Sequence, residues 1–369
     1  MRSCLVLVVL AGCGGGWLSE PRILVDGDHA ASTDCRTQIC RHNENTDLTT
    51  FDGATYLVHR TALSQILGPN SSLLVSRSDD RGKTWRQLAV IPALAGRDLR
   101  DPAFYRIGDR LAIKALTRLQ VNSLRDRNVD TVAVASVSSD AGRTWSPLVP
   151  IGPPTWSFWR IRDDAQGVHY TAAYEDGDRS VVLFSSSDGT RWTRRATVYD
   201  RAEDTPLETE LVFMPSGKLL ALIRVDGSDR ELLGNAGRLR TKLCWAAPPF
   251  TSWDCSRELR GVRLDGPVAF FHGARLFVIA RKHFLEPESR KRTAIYELTG
   301  DLDGGDLAIT ERGELPSAGD TAYAGVAPID RDRVLVTWYS SPVAADDSWI
   351  VGVLGPTDIW QATLDLSQL

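Results

Sequence analysis

Ser78-Asp79-Asp80-Arg81-Gly82-Lys83-Thr84-Trp85 returns later in the chain as Ser138-Ser139-Asp140-Ala141-Gly142-Arg143-Thr144-Trp145. It appears again, one residue shorter, as Ser186-Ser187-Asp188-Gly189-Thr190-Arg191-Trp192. The shared pattern, Ser-x-Asp-x-Gly-x-x-Trp, has the chemistry of a hairpin turn. The aspartate accepts backbone N–H bonds, the glycine takes a positive φ, and the tryptophan folds back onto apolar neighbours. These segments therefore read as structural staples rather than as catalytic residues.

Outward from these turns runs a second repeat. Six stretches read as strand, polar turn and strongly apolar strand: Asp47 to Arg60, Asp101 to Leu116, Arg160 to Tyr174, Glu208 to Arg224, Gly266 to Arg281 and Tyr323 to Tyr339. Their turns centre on Gly53, Gly108, Gly167, Gly217, Gly273 and Asp330. The spacing is roughly 50 to 60 residues, the length of a four-stranded propeller blade. No sustained helical period competes with this reading. The pattern predicts an all-β chain folded as a six-bladed β-propeller of four-stranded antiparallel blades over residues 22–369. An open ring would expose strand edges, so Arg22 to Val25 and Ile359 to Leu366 are expected to share the closing blade.

The amino terminus has a different character. Arg2 precedes the apolar run Leu5 to Leu10, far below the roughly 20 residues that span a bilayer. Residues 1–12 read as a signal peptide. Leu10-Ala11-Gly12-Cys13 resembles the lipobox of bacterial lipoproteins, which implies lipidation at Cys13 and a flexible tether over 13–21, with Gly14-Gly15-Gly16. The implied place is a bacterial membrane, facing periplasm or exterior and reached through this lipid anchor only. Cys35, Cys40, Cys244 and Cys255 then remain, an even number that suits an oxidising compartment. Three pairings are possible, and the local ones, Cys35–Cys40 and Cys244–Cys255, are favoured over the others and over a metal site.

A hydrophobic share of 43% with 24% charged residues is ordinary globular composition. A net charge of −4 gives no footprint for nucleic acid.

In a propeller the innermost strands all start at one rim of the axis, so residues there converge whatever their sequence separation. Here those starts are rich in charge: Arg41, His42, Glu44 and Asp47, then Arg100 and Asp101, Trp159 and Arg160, Glu208 and Glu210, Asp265, and Asp320 with Tyr323. Charged groups are rarely buried unless paired or functional. The repetition predicts a polar pocket at the axis.

With its turn pattern and this rim, the chain resembles the sialidase superfamily, whose repeated turn is the Asp box. The resemblance implies three arginines that hold a substrate carboxylate, a tyrosine nucleophile with a glutamate partner, and an aspartate acid/base. Leu207-Glu208-Thr209-Glu210, leading through Gly217 to Arg224, is similar to the family's glutamate strand and second arginine. Gly266-Pro267 leading to Arg281 is similar to the strand ending in the third, and Asp320-Thr321-Ala322-Tyr323-Ala324-Gly325 to the segment of the nucleophile. Arg41 is the match for the first arginine. The stretch where the family carries its acid holds Asn70, Ser71 and Ser72 instead, which leaves Asp101, or Asp47, for that role.

The resulting expectation is a sialidase-like exo-glycosidase acting on an extracytoplasmic carbohydrate with an acidic sugar, working as a monomer without cofactor or metal. Tyr323 is its nucleophile, Glu208 the partner base and Asp101 the acid/base. Arg41, Arg224, Arg281, Glu210, Asp47 and Asp320 are the expected substrate contacts. A non-catalytic glycan-binding propeller is the rival reading. Glu208 and Glu210, two apart on a strand, are expected to face the same side. His169 and His272 read as core residues, while His42 and His283, beside candidate rim arginines, are as compatible with the pocket as with the core.

Overall fold

Every hairpin of the sequence repeat forms, and each is the inner half of a four-stranded antiparallel blade. The computed structural model describes residues 16–66, 70–119, 130–175, 180–201, 204–226, 239–284 and 290–369. Blade 1 comprises His42–Phe51, Ala54–Ala62, Ser72–Ser78 and Arg86–Pro92. Blades 2 to 5 begin with Arg97–Ile107, Trp156–Asp163, Pro206–Phe213 and Asp265–His272, and each continues outward through three further strands. Blade 6 takes Thr321–Pro328, Arg333–Ser340 and Asp358–Asp365 from the carboxy terminus, and Arg22–Val25 from the other end. The ring is thus closed as expected, with Arg22 opposite Gln361 and Ile23 opposite Trp360. That pairing covers edges that would otherwise stay open.

The propeller begins earlier than expected. Leu18 bridges to Leu364, Asp365 N–H donates to the Trp17 carbonyl at 2.7 Å, and both Trp17 and Leu18 pack on the apolar seam of blades 5 and 6. Trp17 and Leu18, within the stretch 13–21 read from sequence as a tether, thus lie on the domain surface. Residues 1–12 and Cys13 lie outside the described residues. No helix among the described residues is long and apolar enough to cross a membrane.

Apolar seams between neighbouring blades hold the ring together. Leu73, Val75 and Leu99 fill the seam of blades 1 and 2, Leu222, Leu243 and Val278 that of blades 4 and 5, and Leu48, Leu335 and Tyr339 the closing one of blades 6 and 1. The repeated turns join the third and fourth strands of blades 1 to 3. In the first, Ser78 Oγ accepts the Gly82 N–H at 2.7 Å, Asp80 accepts the Thr84 N–H at 2.8 Å, and Trp85 packs on the closing seam. None of these turns lines the axial cavity. Both favoured disulfides, Cys35–Cys40 and Cys244–Cys255, are present.

One irregularity recurs in every innermost strand. Opposite its neighbour, each carries two residues against one: Asn45-Thr46, Asp101-Pro102, Trp159-Arg160, Leu207-Glu208, Gly266-Pro267 and Tyr323-Ala324. Such β-bulges re-aim side chains and are enriched beside functional sites. Here they turn one layer of residues toward the axis.

Candidate active site

The bulge layer opens into a cavity of about 320 Å³, lined among others by Asn45, Arg100, Asp101, Glu208, Arg224, Arg281 and Tyr323. Three of these residues hold strained backbone, with φ of 55° at Asn45, 48° at Asp101 and 48° at Tyr323. Left-handed conformations at non-glycine residues cost about 1–3 kcal/mol each and cluster where function demands them.

Tyr323 is at the centre. Its hydroxyl donates to Glu208 Oε1. Glu208 Oε2 accepts from Arg224 Nη1 at 2.8 Å and from the Gly266 N–H at 2.8 Å. The tyrosine ring lies under the Arg281 guanidinium, 5.2 Å from its centroid, and edge-on to Trp159 at 5.9 Å. It also lies against the α-carbon of Gly266, where a Cβ would stand 2.7 Å from the ring, so Gly266 must stay a glycine. Burial, and then the charge of Glu208, push the Tyr323 pKa well above its ordinary value, with Arg281 and Arg224 opposing. The phenol is thus neutral at rest. Its proton already points at the carboxylate that can take it, and two guanidinium groups stand ready to stabilise a phenoxide.

Both arginines are anchored. Arg224 donates to both oxygens of Asp226, at 2.8 and 3.0 Å, and lies 3.2 Å from Asp265. Arg281 donates from Nη2 to Asp320 Oδ1 at 2.9 Å and to the Tyr339 hydroxyl at 2.8 Å, and from Nε to the Thr321 carbonyl at 2.8 Å. Asp265 also accepts from Arg263 and from His283 Nε2, both at 2.8 Å. Despite burial, which would raise it, the charges of Arg224 and Arg263 hold the Asp265 pKa well below the carboxylate range.

Asp101 lies in the same cavity. Its Oδ1 accepts from Asn45 Nδ2, and its carbonyl accepts from the buried Lys114 Nζ at 2.7 Å. Burial raises the Asp101 pKa; Lys114 opposes this and the charge of Glu208 adds to it. A carboxyl held toward its protonated form is suited to give a proton. Burial also brings Lys114 down to about 8.

Other expected contacts are corrected. Arg41 is exposed and does not line the cavity, and its backbone carbonyl accepts from the Thr357 N–H. At ~3.3 Å per strand residue it stands well above the layer formed around Asn45. Asp47, past the bulge, is buried deeper: Oδ1 accepts from Arg160 and Oδ2 from the Phe104 N–H at 2.8 Å, tying blade 1 to blades 2 and 3. Glu210 accepts from Arg162 Nε at 3.1 Å and from the Ala269 N–H at 3.3 Å, a clamp across blades 3, 4 and 5. It does face the same neighbouring blade as Glu208, one layer further in. Asp320 lies fully buried behind Arg281 and acts on the site through it.

The histidines divide. His42 and His283 are buried among charged residues behind the cavity. His169 is buried against Asp163 at 2.6 Å, whereas His272 is partly exposed near Asp332, not in the core. Among the described residues, His42, Glu44 and Asp320 bring ligand-type atoms within 4.8 Å of one another and are the group that could hold a metal ion. The outer oxygens of its carboxylates are taken by Arg60 and Arg281.

Asn45, Lys114, Arg118 and Trp349 were not singled out from sequence. Asn45 carried a signal: it holds the place in blade 1 that Asp101 holds in blade 2 and Tyr323 in blade 6. Lys114 and Arg118 had none, being ordinary residues of an apolar second strand.

No protein-family model and no curated protein sequence matches the chain. Solved structures do. A protein of unknown function from Dyadobacter fermentans is 16% identical, with a TM-score of 0.65 over 94% of this chain and 99% of that one. The NanB sialidase from Streptococcus pneumoniae is 12% identical, with a TM-score of 0.65 over 94% of this chain and 71% of that one. A Trypanosoma rangeli sialidase mutant displaying trans-sialidase activity is 12% identical, with a TM-score of 0.63 over 96% of this chain. This chain spans 60% of that trypanosomal protein's length. Among its structural neighbours are sialidases, and with them the chain shares a six-bladed propeller fold.

Proposed function

We propose that the protein is a sialidase-like exo-glycosidase that removes an acidic sugar from an extracytoplasmic glycan. The hydrogen bond from buried Tyr323 to Glu208, in one cavity with Asp101, Arg224 and Arg281, carries this reading. In the first step Tyr323 Oη bonds to the anomeric carbon as its proton passes to Glu208. The glycosidic bond breaks and Asp101 protonates the departing oxygen. Water, deprotonated by Asp101, then cleaves the glycosyl–tyrosine bond, and the phenoxide recovers its proton from Glu208. A tyrosine avoids the repulsion between a carboxylate nucleophile and an acidic sugar. Arg224 and Arg281 face that acidic group. Aryl glycosides of sialic acid and of other acidic sugars provide the assay; no turnover on any of them defeats the hydrolase reading.

The exposure of Arg41 favours a second reading, a glycan-binding propeller without turnover, since one arginine of the expected set is missing from the cavity.

The raised Asp101 carboxyl sets a pH expectation. An acid works while protonated, so turnover falls as pH rises through the Asp101 pKa. Asp101→Asn, which tolerates the same left-handed backbone, is expected to flatten that alkaline limb and to lower kcat about 10²-fold. An unchanged pH profile would assign the proton to another group.

Anchoring through a lipid on Cys13 belongs to the same proposal. Cells fed a labelled fatty acid are expected to label the protein, and Cys13→Ser to abolish both label and membrane retention; label on the variant removes the anchor.

A further inference from the structure

Opposite the Arg224–Arg281 side, blades 1 and 2 present cations of another kind. Arg60 and Arg100 contact Asp98 at 2.8 and 2.6 Å, and Arg118 stands 3.7 Å from the same carboxylate. The second carboxylate of this group is Glu44, 2.5 Å from Arg60. Among the described residues, three guanidinium groups thus share two carboxylates. The balance at Arg224 is the reverse, with Glu208, Asp226 and Asp265 all within 3.2 Å of one guanidinium. Among the described residues Asp101 makes no ion pair with these arginines, its Oδ1 accepting from Asn45 instead.

One spare donor accompanies these charges. Arg100 Nη2 is buried and has no hydrogen-bond partner among the described residues, although Arg100 lines the cavity. Such an atom is costly unless a ligand completes it. Arg118 lines the same wall, and burial together with the charge of Arg100 lowers its pKa to about 10. An anion placed between the two would relieve the crowding of their charges.

We propose that Arg100 and Arg118 form a second anion seat, so that the ligand is a glycan with two acidic groups, one facing Arg224 and Arg281 and the other, a carboxylate or sulfate ester, on blade 2. This rests on reading the cavity as an acidic-glycan site, and it deepens that reading by naming the substrate class. Guanidinium forks accept either oxyanion through paired hydrogen bonds, which a lysine does not reproduce. Arg100 directly precedes Asp101 in the chain. The seat therefore lies beside the candidate acid and fits a charge near the leaving-group oxygen, while the first acidic group sits across the anomeric carbon.

Calorimetric titration of the full-length Tyr323→Phe protein tests the seat without requiring turnover. Inorganic sulfate is the first probe. Saturable binding is expected, weakened at least tenfold by Arg118→Gln and unaffected by Arg41→Gln, whose site is exposed. Oligosaccharides of one skeleton, with and without the second acidic group, follow in carboxylated and sulfated forms. The doubly acidic forms should bind at least tenfold more tightly, and the advantage should vanish in Arg118→Gln. Arg100→Lys, which retains charge and loses the fork, provides the same comparison should the first variant fail to fold. Sulfate affinity equal in wild type and in either variant, or no gain from the second acidic group, overturns the seat. Failed hydrolysis is a separate outcome: sulfate binding that depends on Arg118, in a protein that cleaves nothing, leaves the seat standing and removes the hydrolase reading.

Discussion

Tyr323→Phe is expected to lower turnover of an aryl glycoside at least about 10³-fold, since a nucleophile and its base act as a unit whose loss is rarely partial. Fold and ligand binding should survive. The ring keeps its place against Gly266, between Trp159 and the Arg281 guanidinium, and Glu208 keeps its bonds from Arg224 and the Gly266 N–H. Only the atom that would bond to the anomeric carbon is gone. The informative result is the combination of an unchanged thermal midpoint, an unchanged affinity for a substrate analogue and a collapsed kcat. A variant that retains a tenth of wild-type turnover would show that Tyr323 Oη forms no bond to the sugar, and the mechanism as written would fall.

Asp47→Ala should act on stability, not on chemistry. The substitution strands the Arg160 guanidinium and the Phe104 N–H, both buried and both satisfied by this carboxylate. Removing one partner of a buried ion pair costs about 3–5 kcal/mol, because the remaining charge stays buried without compensation. Arg160 keeps its bond to the Ala324 carbonyl at 2.7 Å, which places the expected loss toward the lower end of that range. Urea unfolding of wild type and variant reads the difference directly. A loss below about 1 kcal/mol, the range of exposed pairs, would mean that Asp47 is no strut. The same position read as a substrate contact predicts a raised KM with full stability, so the two roles separate cleanly.

The contrast between Asp47 and Asp101 shows how far a repeat can be read. Both open a stretch of the sequence repeat, both carry a carboxylate, and both were open candidates for the acid. Asp101 occupies the first bulge position of its blade, whereas Asp47 lies two residues past the equivalent Asn45. A shift of two residues along a strand changes the depth by ~7 Å. That separates a cavity wall from the packed interior. Glu208 and Glu210 repeat the lesson on blade 4. The first meets Tyr323 and the second is consumed by Arg162.

Apart from Arg224 and Arg281, which only the resemblance to sialidases brought into the reading, local chemistry and periodicity determined the six-bladed ring, its closure through both termini, the local disulfides, and the meeting of Tyr323, Glu208 and Asp101 in one cavity. These follow from turn residues, apolar alternation and the spacing of equivalent positions, all of which are properties of short segments. Only the tertiary structure decided that Arg41 stays in solvent, that Asp47, Glu210 and Asp320 serve as struts, and that Asn45, Arg118 and Trp349 complete the walls. The reason is physical. Whether a charged group is spent on a neighbour or left facing the cavity depends on which blade packs beside it and at what depth along the axis, and no repeat within one strand records that distance.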